Sequence, residues 1–322
     1  MTTCLVLGAT GFIGGQIARS ALVRGWHVRA LRRDPHAVGA IGDLQPEWIN
    51  GNLDDAATLR GAMRGCDVVF HAAAAYPHSA KNIDQHVKAA VIQLRGVLDA
   101  AREAKVERLI YTSSFSTIGP ARDRSHGADE QDRYMPGTSG DAYYEAKWAM
   151  EVEALKSDVP VIALCPSAVF GPGDVHLSVS EIVVQTAQGK MPVYFDATFG
   201  AIDARDVAEA HVNAVERGRV GERYILSAHN ITLLDGLTLV AQSAGVRPPR
   251  IRIGPRALSA IIAVGQYLPG GTIGHLRTMK FWQPLNNAKA VTELGLATRP
   301  IKDTLDDALA WFRERGVIRD QG

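Results

Sequence analysis

Apolar residues in the first half of the chain form short continuous runs that alternate with longer stripes at helical spacing. The short runs predict strands at 4–7, 26–31, 48–49, 67–74, 108–114 and 159–165. Between them, apolar residues that recur every three to four positions predict helices beginning near 13, 55, 82 and 141. Strands that alternate with helices pair side by side in one direction, so this half predicts an α/β fold with a doubly wound parallel sheet.

The second half of the chain loses this regular alternation. Its predicted helices lie near 178–189, 206–217, 232–244 and 303–315, and short strands such as 223–226 separate them. We therefore predict a sheet domain over 1–165 and a smaller, mostly C-terminal α/β lobe over 166–322. Some segments of the lobe are expected to return to the sheet domain. Substrates usually bind between two such units.

The first predicted strand runs directly into a glycine-rich turn with the spacing Gly8-x-x-Gly11-x-x-Gly14. A strand, a tight glycine turn and a helix form the context of a dinucleotide-binding turn. The glycines allow the turn, remove Cβ atoms near a pyrophosphate and let helix and strand pack closely. The N–H groups at the helix N-terminus can bind the phosphates. We predict a Rossmann domain; a βα turn without a ligand is the alternative.

The second predicted strand ends at Arg32, which is followed by Arg33. An NAD-binding fold usually has Asp or Glu at this position, where the carboxylate accepts hydrogen bonds from the ribose 2′-hydroxyl. Arginine suits a 2′-phosphate instead, so the sequence favours NADP (NADPH) over NAD. Two solvated arginines on a loop are the alternative interpretation.

The fourth predicted strand runs into three alanines at 72–74. Small side chains at the carboxyl end of a strand leave room for a cofactor in the crevice. His71 precedes these alanines and follows Phe70. We expect it to be a hydrogen-bonded core histidine rather than a catalytic one.

Tyr143 and Lys147 are four positions apart, so both project from one face of the predicted helix. A free tyrosine has a pKa near 10, and a neighbouring ammonium lowers that pKa towards the range useful for proton transfer. Lowering the tyrosine pKa from about 10 to about 7 would need roughly 4 kcal/mol of free energy, which the lysine and a positively charged nicotinamide could supply. Ser114 could hold the substrate oxygen, Tyr143 could give or take the proton, and hydride would pass to or from the nicotinamide.

In this order, the motifs resemble the extended short-chain dehydrogenase/reductase family, which includes the NAD-dependent epimerases and dehydratases. The resemblance covers nearly the whole chain and rests on the segments 8–14, 111–114, 143–147, 166–173, 202–211 and 221–226. The segment 203–211 most resembles dihydroflavonol reductases, cinnamoyl-CoA reductases and aldehyde reductases. The resemblance implies a catalytic triad of Ser114, Tyr143 and Lys147. It implies cofactor contacts from Gly8, Thr10, Gly11, Phe12, Ile13, Arg32, Asn52, Leu53, Ala72, Ala73, Ala74, Tyr143, Lys147, Pro166 and Val169.

The sequence departs from the family pattern at several positions. Asn52 stands where an acidic residue often contacts adenine. Lys88 occupies a region of the long helix where many relatives have an asparagine that supports a proton relay. Tyr144 lies three residues from Lys147 and competes with Tyr143 for the catalytic role, although spacing and pattern favour Tyr143. Thr198 begins a segment that lacks the phosphate-binding arginine of many sugar-nucleotide epimerases.

Composition narrows the class of protein further. With 46% hydrophobic and 21% charged residues, the chain is typical of a globular protein. Lys+Arg 35 against Asp+Glu 34 gives no basic excess, so we expect no nucleic-acid partner. The scattered Cys4, Cys66 and Cys165 predict buried thiols, and we expect no metal site. The longest apolar candidate, 257–268, is too short to span a bilayer and no signal peptide is recognised, so we expect a cytoplasmic protein without membrane contact.

The sequence therefore predicts an NAD(P)-dependent oxidoreductase that reduces a carbonyl, or oxidises the alcohol, of a small organic substrate. An NDP-sugar epimerase or dehydratase on the same fold is the first alternative. A non-catalytic NADP-binding sensor is the second. Family members often dimerise through the helices at 82–104 and 141–156, which implies a homodimer. We expect the substrate to be read by a mobile loop at 122–140 and by the segments 166–200 and 250–285.

Overall fold

The structure is a computed structural model that describes residues 1–73, 81–123, 125–265 and 278–318. Numbered along the chain, its strands are β1 (Thr3–Leu7), β2 (His27–Arg32), β3 (Glu47–Asn50), β4 (Val68–His71), β5 (Arg108–Thr112), β6 (Val161–Pro166), β7 (Ala168–Phe170), β8 (Val193–Tyr194), β9 (Thr198–Asp203), β10 (Arg223–Leu226), β11 (His229–Thr232) and β12 (Ile251–Arg252). Within these residues, a seven-stranded sheet has the order β10-β6-β5-β4-β1-β2-β3. Every pairing in it is parallel, which confirms the predicted doubly wound sheet.

Helices cover both faces of this sheet. The helices are α1 (Phe12–Val23), α2 (Ala56–Met63), α3 (Ile83–Ala104), α4 (Ala142–Lys156), α5 (Glu181–Ala187), α6 (Ala204–Arg217), α7 (Leu233–Ala244), α8 (Pro255–Gly265) and α9 (Ile301–Glu314). Helices α1 and α6 pack on one face, where side chains such as Val6 and Ile110 form one core. Helices α2, α3 and α4 pack on the other face, against alternate strand residues such as Leu5 and Leu109. Because helices cover both faces, the side chains on both sides of each strand are buried. This explains why the sequences of the parallel strands are continuous apolar runs.

A smaller lobe is built from the second half of the chain. Its three-stranded sheet has the order β11-β9-β7, and α5, α7 and α9 share a core with it around Phe170, Val240 and Phe312. Strands β8 and β12 form a separate parallel pair. Strand β10 instead joins the edge of the large sheet beside β6, so the chain returns to the first unit after the lobe begins.

Some element ends differ from the prediction. The strand predicted over 67–74 ends at His71, and Ala74 lies outside the described residues. The predicted buried thiols are confirmed, because Cys4, Cys66 and Cys165 are all free and buried. In the part of the chain that the structure describes, no helix combines the length and apolar character needed to cross a bilayer.

Candidate functional site

The candidate site lies where the carboxyl ends of β1, β4 and β5 meet at one edge of the large sheet. Strands β1 and β4 are neighbours although β2 and β3 lie between them in sequence, so the chain reverses its direction of winding there. Ligands of open α/β sheets bind in the crevice at such a point. Gly8 follows β1, Ala72 and Ala73 follow β4, and Ser114 lies just beyond β5.

The glycine turn needs glycine for steric reasons at two of its positions. Gly8 has φ of +91°, and a Cβ there would lie 2.7 Å from the backbone nitrogen of Ala73. A Cβ at Gly14 would lie 2.1 Å from the carbonyl oxygen of Gly8, so this glycine lets α1 pack closely on the turn. The turn is closed by a hydrogen bond of 2.9 Å from the N–H of Gly11 to the same oxygen.

The N-terminus of α1 fits a negatively charged cofactor group. Gly11 is the N-cap residue, no side chain caps the helix, and its first turn contains no acidic residue. A Cβ at Gly11 would meet only the oxygen of Gly8, at 3.2 Å, so the space in front of the helix is otherwise open. The amides near Phe12 and Ile13 and the positive end of the helix dipole are suited to a pyrophosphate. Thr10 is partly exposed beside them.

A loop from the second half of the chain lies against the start of α1. Gln16 donates a hydrogen bond of 2.8 Å from Nε2 to the carbonyl oxygen of Pro172. A Cβ at Gly173 would lie 3.1 Å from Gln16 Nε2 and 3.3 Å from Ala40 Cβ, so only glycine fits this approach. Pro166 and Val169, which precede the loop, are buried. Gln16 was not predicted from the sequence, because nothing in a helical pattern marks a side chain that reaches a distant loop.

Arg32 ends β2 and is only partly exposed. Its guanidinium lies 4.6 Å from the centre of the Trp48 ring, and its Nε donates to Asn50 Oδ1 at 2.9 Å. These contacts hold the side chain at the edge of the crevice, and the guanidinium retains other N–H groups that can donate hydrogen bonds. Asn52 is exposed, and its Oδ1 accepts a hydrogen bond from the N–H of Asp54 at 3.3 Å. Leu53 packs against the core under α2 and α3.

The structure brings together Ser114, Tyr143 and Lys147 from two elements. Asp141 caps α4 by accepting hydrogen bonds from the N–H groups of Tyr143 and Tyr144, at 3.1 and 3.3 Å. The Tyr143 hydroxyl is hydrogen-bonded to Ser114. Lys147 is buried, and its Nζ donates to the carbonyl oxygen of Thr112 at 2.9 Å.

The electrostatics of this group differ from the expectation for Tyr143. Burial raises the pKa of Tyr143, and the hydrogen bond from Ser114 opposes that rise only in part. The expected lowering of this pKa is therefore wrong for the chain's own residues. Burial also lowers the pKa of Lys147 to about 8, since the low-dielectric surroundings disfavour the ammonium. With the tyrosine's pKa raised, lysine loses its proton first as pH increases.

Tyr144 is held away from the cleft by other aromatic rings. It is only 2% exposed, and its ring lies 5.3 Å from that of Phe281 and 5.9 Å from that of Tyr134. Tyr143 is partly exposed on the same helix and contacts Ser114. The geometry therefore favours Tyr143 over Tyr144 for contact with a substrate.

The expected core position of His71 is confirmed, and the expectation that it is hydrogen-bonded is wrong. His71 is fully buried, and neither ring nitrogen has a hydrogen-bond partner among the described residues. Its ring lies 5.7 Å from that of Tyr111. Burial first and the charge of Lys147 second lower the pKa of His71 to about 3, so the ring is neutral at physiological pH.

A buried ion pair supports the strand end beneath the triad, and the sequence analysis missed it. Glu151 accepts a hydrogen bond of 2.5 Å from Ser113 and pairs with Arg223 at 2.9 Å. The same carboxylate accepts from Thr117 at 2.8 Å. Glu151 lies one helical turn after Lys147, so the periodicity of α4 could have indicated that both side chains lie on the same buried face. Its partner on β10 could not be inferred. Lys88, by contrast, is exposed on α3.

Aromatic side chains from distant segments of the chain meet around Trp282. Trp282 lies 5.2 Å from Phe199 and 6.5 Å from Phe195, measured between ring centres. Lys280 donates a hydrogen bond of 3.1 Å to the carbonyl oxygen of Thr138, which ties the 122–140 loop to the segment that carries Trp282. Within that loop, Arg122 and Asp132 form a 2.7 Å ion pair.

Comparison with known proteins shows the family of this chain. The sequence pattern of the NAD dependent epimerase/dehydratase family matches residues 4–227. The chain belongs to this family. A family member of this kind binds a nicotinamide dinucleotide, and the predicted family resemblance and Rossmann fold are both confirmed.

Relatives within the NAD dependent epimerase/dehydratase family include named reductases. A cinnamoyl-CoA reductase 1 of Petunia hybrida is 30% identical over 97% of this chain and 92% of its own length. A dihydroflavonol 4-reductase of Zea mays is 26% identical over 98% of this chain and 90% of its own. These relatives place the chain among oxidoreductases or related enzymes.

Two solved structures share the fold along nearly the whole chain. The structure of gox2253 has a TM-score of 0.85 at 33% identity, with 99% of each chain covered. PA4631 of Pseudomonas aeruginosa, described as a nucleoside-diphosphate-sugar epimerase, has a TM-score of 0.86 at 27% identity, again with 99% of each chain covered. A protein described as an epimerase thus shares this architecture.

Proposed function

We propose that this protein is an NADPH-dependent reductase of a carbonyl group on an apolar, aromatic substrate. The observation that carries the proposal is the hydrogen-bonded pair of Ser114 and Tyr143, with Lys147 one helical turn away, beside the glycine turn. Bound NADPH would supply the hydride. Ser114 orients the substrate oxygen, and Tyr143 donates a proton to it as the carbonyl becomes an alcohol.

The protonation states of Tyr143 and Lys147 at neutral pH are those that reduction requires. A proton donor must be protonated before the reaction, and burial raises the pKa of Tyr143. Lys147, with a pKa lowered to about 8, is still mostly an ammonium at pH 7. The ammonium can stabilise the phenolate left after proton transfer and can hydrogen-bond the ribose hydroxyls of the cofactor.

The cofactor would be held by the residues around the glycine turn. Its pyrophosphate would lie at the amides of 11–13, with Gly8, Thr10, Ala72 and Ala73 leaving space beside it. Asn52 and Leu53 would face the adenine side, and Pro166 and Val169 the nicotinamide side. Arg32, fixed over Trp48, supports the proposal that NADPH is used in preference to NADH, because its remaining donors suit a 2′-phosphate.

The aromatic side chains grouped around Trp282 support the choice of substrate class. Phe199, Phe195 and Trp282 offer apolar faces, and such rings bind other aromatic rings in offset or edge-to-face contacts. By their names, the relatives reduce cinnamoyl-CoA and dihydroflavonol, which is consistent with this class.

The direct test is oxidation of NADPH, followed at 340 nm, with a panel of aliphatic and aromatic aldehydes and ketones. We expect aromatic members such as cinnamaldehyde to give the highest kcat/KM, and NADH to support slower turnover at equal concentration. Absence of NADPH oxidation across the whole panel would contradict the proposal.

A nucleotide-sugar epimerase is the second candidate, since PA4631 shares 99% of this chain's length in its fold. Arg247, Arg250, Arg252 and Arg256 lie in the lobe, but Arg252 is already paired with Asp196. Calorimetric titration with UDP-glucose separates the two functions. Tight binding together with co-purified NAD would favour the epimerase, and no binding would favour the reductase.

A further inference from the structure

His211 takes no part in the proposed chemistry, although it ends the segment 203–211 that most resembles the reductases. It is fully buried on α6. Its Nδ1 lies 2.7 Å from the carbonyl oxygen of Val207, and its Nε2 lies 2.8 Å from Thr112 Oγ1. Because a carbonyl oxygen can only accept, Nδ1 must carry the proton. Burial lowers the pKa of His211 to about 4, so at neutral pH Nε2 accepts from the Thr112 hydroxyl.

Thr112 connects the two helical layers across the sheet. Its side chain faces α6, on the same side as Ile110, and bonds His211. Its carbonyl oxygen accepts the 2.9 Å hydrogen bond from Lys147, which comes from α4 on the other face. Thr112 is also the last residue of β5, two positions before Ser114. A shift of this one residue would therefore displace both the lysine and the serine.

The N-terminal end of α6 is bonded to the lobe. Thr304 of α9 donates a hydrogen bond of 2.9 Å to Asp203, the N-cap residue of α6. Arg205 pairs with Asp307 of α9 at 2.7 Å. With its N-terminal end bonded to α9 and His211 bonded to Thr112, α6 presents His211 to β5 from a fixed position. A histidine on a loosely held helix could not fix a hydroxyl in this way.

We propose that His211 is a positioning residue that acts through Thr112: it fixes the carbonyl on which Lys147 is anchored and so sets the place of the lysine beside Tyr143 and the cofactor ribose. This inference rests on the proposed function, in which Lys147 contacts the cofactor and supports Tyr143. It assigns a role to the 203–211 segment beyond the packing of α6.

The test compares His211→Phe, Thr112→Val and the double variant by fluorescence titration with NADPH and by steady-state reduction of the best carbonyl substrate. We expect each single change to weaken NADPH binding about five-fold and to lower kcat about ten-fold, since small misplacements of catalytic groups are costly. The KM for the carbonyl should change less than about two-fold. The double variant should be no worse than the poorer single variant, because both changes break one chain of contacts.

Two further variants distinguish a positioning role of His211 from a role in the packing of α6. His211→Gln should recover most of the NADPH affinity, because its amide oxygen can accept from Thr112. Val212→Ala removes buried methyl groups from the next residue of α6 and leaves both bonds of His211, so it should lower the melting temperature without changing kcat. Equal losses of kcat in Val212→Ala, or multiplying losses in the double variant, would overturn the inference. If the wild type binds NADPH but reduces no carbonyl, the proposed function fails, while the NADPH affinities still decide the role of His211.

Discussion

At the scale of single residues, the site places a phenol and an ammonium in surroundings that shift their pKa values in opposite directions. Burial raises the pKa of Tyr143 and lowers that of Lys147 to about 8. Desolvation disfavours each charged form, so both shifts have one physical cause. The consequence is a site whose tyrosine is protonated and whose lysine is mostly charged at neutral pH, the state that proton donation to a carbonyl oxygen requires.

Cofactor preference also belongs to this scale. Arg32→Asp should raise the Kd for NADPH at least ten-fold, because a carboxylate would repel the 2′-phosphate, and should leave the Kd for NADH unchanged or lower. Titration of protein fluorescence with each nucleotide measures both values. Arg33→Asp is the matched control on the next residue, which is exposed, and its effect on NADPH should be smaller. Equal losses for NADPH and NADH in Arg32→Asp would refute the assignment.

At the scale of elements, the turn between β1 and α1 depends on close contact that only glycine permits. The space around Gly14 is closed by the Gly8 carbonyl, 2.1 Å from a Cβ at that position. Gly61 on α2 has nothing within 4 Å of such a Cβ. Substitution by alanine should therefore have opposite effects on stability at Gly14 and at Gly61.

Gly14→Ala should destabilise the protein by about 1–3 kcal/mol, the usual cost of overpacking, and should also weaken NADPH binding because α1 must move. Gly61→Ala should stabilise it by about 0.5–1 kcal/mol, since alanine is the better helix former. Melting temperatures recorded at one scan rate compare the variants. An unchanged melting temperature in Gly14→Ala would show that the turn relaxes without cost.

Much of this architecture follows from local pattern, and the remainder depends on contacts between distant segments. The spacing of Gly8, Gly11 and Gly14 and the four-residue interval from Tyr143 to Lys147 are local features, so the sequence predicts them. The Thr112–His211 bond joins residues 99 positions apart, and the sheet topology alone brings them together. The unpartnered His71 and the raised pKa of Tyr143 depend on burial, which no local pattern specifies.

At the scale of the whole molecule, we propose that the large sheet supplies the cofactor crevice and the lobe supplies the wall that faces the substrate. Helix α6 is shared by both units, because it packs on α1 at one face and binds α9 through Asp203 and Arg205. On the opposite face, α3 and α4 pack together, and Arg95 and Glu153 join them at 2.5 Å. Ile92 projects from α3 with 68% of its surface exposed.

We propose that α3 and α4 form the contact of a homodimer, as in many members of the family. Light scattering coupled to size exclusion should give twice the 34.7 kDa of one chain for the wild type. Ile92→Lys should shift the protein towards the monomer, because an ammonium would replace an apolar contact at the interface. Val23→Lys, at a residue that is 83% exposed on α1, should not. A monomeric wild type would contradict the proposal.

The central claim is that Tyr143 is the proton donor for carbonyl reduction, and a pair of adjacent variants tests it most directly. Tyr143→Phe and Tyr144→Phe each remove one hydroxyl from α4. The measurement is the single-turnover rate of NADPH oxidation with the best aromatic aldehyde. We expect Tyr143→Phe to lose at least 100-fold in rate while NADPH still binds, since a positioned general acid contributes about 10²–10⁴-fold. Tyr144→Phe should stay within about three-fold of the wild type. Equal rates in wild type and Tyr143→Phe would contradict the account.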